Sequence, residues 1–109
     1  MEKFVPVITK QYSRKVNIRD IVYIQQQQRR LAIVTDDEIL LCYERMDNIM
    51  DNLDGRFYRV MKKLMVNMDK VLMAKDQHLT FENGMSIYLG KENFVKAKQK
   101  FARHLRNLE

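Results

Sequence analysis

The stretch RFYRVMKKLMVNMDKV, residues 56–71, decides what this chain can become, because it satisfies two periodicities at once. On a 3.6-residue repeat, Phe57, Val60, Met61, Leu64, Met65 and Met68 form one apolar stripe, with Arg59, Lys62 and Lys63 opposite as the polar face of a basic amphipathic helix. On a two-residue repeat, Tyr58, Val60, Leu64, Val66 and Met68 share one face of an extended chain, interrupted only by Lys62. Periodicity alone favours the helix over residues 57–68, since all six stripe positions fit. The strand alternative leaves Lys62 and Lys63 with no place in an apolar run unless the chain bends at them.

The flanking segments are easier to read. VNIRDIVYI (16–24) and LAIVT (31–35) are short and rich in β-branched residues, which predicts strands. Val16 and Ile18 alternate and Ile21 to Ile24 run on without a break, so a bend or bulge is expected near Arg19 and Asp20. The QQQQ run at 25–28, followed by Arg29 and Arg30, reads as a polar hairpin loop. Asp36 and Asp37 suit a turn, and ILLCY (39–43) the returning strand. Met46, Ile49, Met50 and Leu53 then fall on one helical face, which predicts a short acidic helix over about 45–54 with Gly55 to end it. In LTFENGMSIYL (79–89), Asn83-Gly84 suits a two-residue type I′ hairpin. That register would put Leu79, Phe81, Ser86 and Tyr88 on one side, with Met85 and Ile87 on the other. The chain ends in a helix over about 91–107, with Phe94, Ala97, Phe101, Leu105 and Leu108 inward and Lys96, Lys98, Lys100, Arg103 and Arg106 outward. No linker and no internal repeat is evident.

A chain of 109 residues with 46% apolar and 31% charged side chains is one folded domain with a modest core. No run of 18 apolar residues occurs, so no spanning helix is predicted. MEKFVPVITK is too short and too interrupted for a signal peptide, which makes a cytoplasmic location the expectation. The single cysteine, Cys42, agrees with a reducing compartment and reads as a small buried hydrophobe.

Charge is unevenly spread. Residues 1–35 carry seven basic and two acidic side chains, and residues 36–55 one basic and seven acidic. Residues 56–90 carry six basic and three acidic, and 91–109 six and two, for an overall +6. Three basic blocks around one acidic segment suggest a positive working face and a negative back, a field that attracts polyanions. Catalytic chemistry finds no foothold. His78, expected in a strand, and His104, on a helix flank, lack a second ligand at metal spacing. No glycine-rich phosphate loop or nucleophile elbow is present. Neither an enzyme, a cofactor nor a metal site is predicted.

What separates the two readings of residues 56–71 is the order of segments along the chain. Asp20, Ile21, Tyr23 and Ile24, then Phe57 and Arg59 as F-x-R, then Val66-Asn67 and Val71, resemble the LytTR-type DNA-binding domain of bacterial transcription regulators. The resemblance runs from about Val16 to Phe94, and F-x-R with VN at that distance is its most specific part. It implies a mainly β fold, an elongated antiparallel sheet arrangement with one short helix besides the C-terminal one, in which inter-strand loops and not a recognition helix read DNA. Residues 57–60 and 64–68 become strands, with Met61-Lys62-Lys63 as the bend. Residues 1–15 are then an N-terminal extension or edge strand, and 16–109 the DNA-binding domain with its C-terminal helix. The family's bend carries histidine, a basic or polar residue and serine; two lysines here favour phosphate contact over base reading.

Three clusters follow as candidates. Gln28, Arg29 and Arg30 form the tip of the first hairpin, with an arginine suited to guanine and Gln28 to adenine in the major groove. Lys62 and Lys63 suit phosphates. Lys91, in place of the arginine in the family's V-S-R stretch (here Leu89, Gly90, Lys91), and Asn93 stand at the start of the last helix. Each also reads as ordinary solvated surface. The resemblance implies a response-regulator-like domain that binds double-stranded DNA with paired direct repeats, two copies side by side, with a separate regulatory protein as a further partner. Members of the family often carry an N-terminal module; the roughly 15 residues before the resemblance and the initial Met favour a stand-alone domain here over a piece of a longer protein. Two alternatives stay open: a basic amphipathic membrane-surface module, if the helix reading holds, and a protein-interaction module using the acidic helix.

Overall fold

The structure, a computed structural model, describes residues 2–108. β1 (Phe4–Ile8) and β2 (Ser13–Asn17) pair as an antiparallel hairpin. β3 (Ile21–Gln27), β4 (Arg30–Thr35) and β5 (Ile39–Tyr43) follow, then helix α1 (Met46–Ile49), continued by a single 3₁₀ turn over Met50–Asn52. β6 (Phe57–Met61) and β7 (Leu64–Asn67) make the next hairpin, and β8 (Val71–Lys75), β9 (His78–Phe81) and β10 (Ser86–Tyr88) a three-stranded meander before helix α2 (Lys91–Asn107). The central sheet has the order β5-β4-β3-β7-β6.

Residues 57–67 are therefore a strand pair, and the helical stripe is coincidental. A bulge at Val60 keeps Tyr58, Val60, Leu64 and Val66 against one core, while Phe57 and Met65 meet another. Only Lys62 and Lys63 lie between the strands. Strand wins over periodicity because β7 pairs with β3 on one side and β6 on the other and is buried on both faces, where a one-sided amphipathic helix would keep a polar face in water.

The central sheet divides two cores. On one face, Ile21, Ile24, Leu31, Ile33, Leu40 and Cys42 meet Val5, Val7 and Val16 of the first hairpin and Met46, Ile49 and Leu53 around α1. On the other, Val22, Val34, Leu64 and Val66 meet Val71, Leu79 and Phe81 of the meander and Ala97 and Phe101 of α2. The result is an elongated body of 40 × 31 × 24 Å.

Four local expectations change. Of the four glutamines, Gln25, Gln26 and Gln27 are in β3 and pair with β4; only Gln28 and Arg29 form the turn. The short acidic helix runs over Met46–Asn52, within the expected 45–54, but only its first turn is α and the rest tightens to 3₁₀ after Ile49. The hairpin at Asn83-Gly84 has a three-residue loop: the Phe81 N–H donates to the Met85 carbonyl (2.8 Å) and the Gly84 N–H to the Phe81 carbonyl (2.9 Å), with Gly84 at φ +92°. That is a type I turn closed by a glycine bulge. The one-residue slip sends Leu79 and Phe81 inward with Met85 and Ile87, and Ser86 and Tyr88 outward. In α2, Leu105 and Leu108 are 47% and 67% exposed, because the helix outruns the body it packs on.

A repeat is also present. Val16-Asn17-Ile18 leads through a 3₁₀ turn (18–20) into β3, and Val66-Asn67-Met68 through a 3₁₀ turn (68–70) into β8. In both, the asparagine Oδ1 accepts from the N–H two residues on, at 3.1 Å from Arg19 and 2.9 Å from Asp69. In both, the next apolar residue is buried and the following strand bulges at its second position. Asn67 is fully buried, and its Nδ2 also donates to the Ile21 carbonyl (2.8 Å).

Candidate nucleic-acid interface

Because β3 runs antiparallel to both β4 and β7, the turn leaving β3 and the turn entering β7 come out at the same end of the sheet. The Gln26 N–H donates to the Lys63 carbonyl at 2.9 Å and ties the two turns together. β5 ends there too, since Tyr43 pairs with Arg30, and the chain passes directly into α1. Between these segments lies a cleft of about 620 Å³, whose lining includes Gln28, Arg29, Tyr43, Arg45, Lys62 and Lys63.

Gln26 organises the cleft. Its Nε2 is shared among the carbonyls of Gln28 (2.9 Å), Arg30 (3.1 Å) and Glu44 (3.1 Å), and its Oε1 accepts from the Met46 N–H (2.9 Å). One side chain thus fixes the first turn, the end of β5 and the start of α1. It also holds Gln28 at φ +58°, a left-handed conformation that costs a non-glycine residue about 1 kcal/mol.

Arg59 does the same for the second turn. Its Nε and Nη2 donate to the Lys62 carbonyl (3.2 and 2.8 Å), and Nη1 to Asp47 Oδ1 of α1 (2.8 Å). The Arg59 hydrogen bond holds the Asp47 carboxyl below its ordinary range. With its carbonyl bound inward, the Lys62-Lys63 turn leaves both ammonium groups exposed. Among the described residues Arg29, Arg45, Lys62 and Lys63 make no ion pair.

Of the sequence-derived candidates, the cleft brings together Gln28, Arg29, Lys62 and Lys63. Arg30 is exposed in β4 beside it without lining it. Lys91 and Asn93, exposed and half-buried at the start of α2, stand outside the cleft. Arg45, Tyr43 and the organisers Gln26 and Arg59 are additions. Arg59 had a signal in F-x-R; the others are joined to the turns only by the fold. Part of the negative segment is not a back: Glu44 and Asp47 line the same cleft as the lysines, because β5 delivers α1 to that end of the sheet.

No group of His, Cys, Asp or Glu suited to a metal occurs among the described residues, and none of the described helices is long and apolar enough to cross a membrane. Burial, with a smaller contribution from Glu44, pushes the Cys42 thiol above its ordinary range. His78 begins β9, and His104 Nε2 lies 2.6 Å from Asp69 Oδ1.

A family model described as the LytTr DNA-binding domain matches residues 12–102. Among solved structures, the chain is similar to the LytTr DNA-binding domain of a Bacillus cereus protein described as a methyl-accepting/DNA response regulator. The TM-score is 0.73 at 11% identity, over 92% of this chain and 97% of that one. That likeness is one of fold. No curated protein matches the chain.

Proposed function

The chain belongs to the LytTR family of DNA-binding domains, and from that premise we propose that it is a transcription regulator that reads paired direct repeats in the major groove of double-stranded DNA. The observation that carries the reading is the convergence of Arg29, Arg45, Lys62 and Lys63, all without ion-pair partners among the described residues, in one cleft at one end of the sheet. Unpaired cations held close together on a rigid support focus a field on a polyanion. Gln28 and Arg29, at the tip of the first turn, have the donor sets for adenine and guanine edges. Lys62, Lys63 and Arg45 take phosphates, with Arg30 at the margin. Lys91 and Asn93 extend the contact to a flanking phosphate from the start of α2.

The molecule works without cofactor or catalysis in the cytoplasm, two copies bind side by side, and a separate protein supplies regulation. The membrane-surface alternative has lost its first helix to β6 and β7, and the acidic-helix alternative rests on one turn whose Asp47 is already held by Arg59.

Selection from random DNA duplexes at about 0.15 M salt tests the proposal, since weak non-specific binding is largely suppressed there. The expected result is a motif repeated with centres about 10 base pairs apart. Retention without a motif would make the domain a backbone binder, and no retention would sink the reading.

A further inference from the structure

The cleft that gathers the cations also holds two carboxylates, and their surroundings differ. Asp47 Oδ1 accepts from Arg59 Nη1 at 2.8 Å, so its charge is matched. Glu44 makes no ion pair among the described residues. Its Oε1 accepts from the Arg45 N–H (2.8 Å) and from Asn48 Nδ2 (2.7 Å), while Gln26 Nε2 holds its carbonyl (3.1 Å). Main chain and side chain are thus both fixed. The second carboxylate oxygen, Oε2, has no hydrogen-bond partner among the described residues and reaches solvent.

An unmatched anion in a cleft that takes a polyanion opposes that binding. The helix entry does not require the charge, since a neutral amide oxygen accepts from the Arg45 N–H and Asn48 as well. What a carboxylate adds is a second oxygen that accepts and never donates. Few base edges in the major groove answer such an atom. Guanine O6 and N7 and thymine O4 are acceptors and repel it. Adenine N6–H is a donor, but it lies between N7 of its own ring and O4 of the paired thymine. Cytosine N4–H has an acceptor, the paired guanine O6, on one side only. Cytosine is the base that a fixed carboxylate favours.

We infer that Glu44 is a base reader: its Oε2 accepts a hydrogen bond from the N4 amino group of one cytosine, which fixes one position of the DNA target as a C·G pair. The inference rests on the DNA reading proposed above and adds a third base contact to those of Gln28 and Arg29. It also gives the anion a use. Every sequence meets its repulsion, and only cytosine at that position offsets it, so Glu44 selects by rejection as well as by attraction.

The test runs duplex selection on the full chain and on Glu44→Gln, whose amide oxygen keeps both anchoring hydrogen bonds while its amino group replaces the free oxygen. The parent is expected to select a motif containing a C·G pair at which Glu44→Gln no longer prefers cytosine. Exchanging that pair for T·A should lower the parent's affinity about tenfold and the variant's less than about twofold. A second measurement needs the parent alone: N4-methylcytosine at that position keeps the base pair but removes the outward N–H, and should lower affinity by the same factor. It decides the matter if thermal unfolding shows the variant to be misfolded. An unchanged motif in Glu44→Gln, tighter binding of all sequences alike, or indifference of the parent to N4-methylcytosine at every position overturns the inference and leaves the DNA reading standing. A parent that selects no motif overturns both.

Discussion

Four consecutive glutamines divide three tasks among them. Gln25 and Gln27 stay on exposed strand positions, Gln28 turns the chain, and Gln26 reaches back to hold three carbonyls and one N–H. Gln26→Ala leaves those groups to compete for water and is expected to destabilise the fold by about 1–2 kcal/mol. It should weaken DNA binding as well, because the first turn loses its anchor; urea unfolding and a binding titration together check both. Gln25→Ala is the matched control and should do neither. Lys62→Ala, by contrast, should leave stability unchanged and lower affinity for all sequences alike, with the slope of log affinity against log salt falling by about one. A sequence-dependent loss would instead make Lys62 a base reader.

At the scale of elements, β4 and β5 were legible in the sequence because short apolar runs bounded by turn residues, β-branched in β4, leave few alternatives. The β9–β10 register was not. Asn-Gly serves a two-residue type I′ turn and a three-residue turn with a glycine bulge equally well, and one residue of slip decides which side chains enter the core. The molecule does contain a type I′ turn, at Asp76-Gln77, where both residues have positive φ and no glycine advertises it. There Gln77 Nε2 donates to Tyr88 Oη (3.0 Å) and the Leu89 carbonyl (3.1 Å), long-range support that local sequence does not announce. The observed register predicts that Ile87→Ala costs about 1–2 kcal/mol and Tyr88→Ala about 0.5 kcal/mol. Thermal unfolding of the pair would show the reverse order if the two-residue register held. The fate of residues 56–71 was legible only through the segment order around them, since the burial of both faces of β7 is a non-local fact.

For the molecule as a whole, the charge pattern was readable but its placement was not. Composition located the acidic segment between basic blocks; only the topology shows β5 carrying part of it into the cleft. Three of its carboxylates titrate low. Arg14 holds Glu38 down by a side-chain hydrogen bond against a smaller opposing effect of burial, and Arg59 does so for Asp47. At Asp54 burial pushes up, and the combined hydrogen bonds and charge of Arg56 outweigh it. Each folded value lies below its unfolded one. Their stabilisation is therefore complete above the ordinary carboxylate range and is lost as pH falls through the lowered values. The melting temperature should be flat above about pH 5 and decline below about pH 4. Glu38→Gln with Asp47→Asn should flatten that decline, and an unchanged acid limb would place its origin elsewhere. Both cores share β3, β4 and β7, so one transition is expected on heating and not two.

Asn17 and Asn67 close the same one-turn device fifty positions apart, one with a side chain reaching Glu2 at the surface and the other with a side chain bonded to Ile21 in the interior. The chain has in effect run an experiment and its control on one backbone. Asn17→Ala removes a turn and a surface contact; Asn67→Ala removes a turn and a buried strut between β7 and β3 of the central sheet. The gap between their unfolding free energies, expected at about 1–3 kcal/mol, is the worth of a single buried amide to the seam between β7 and β3.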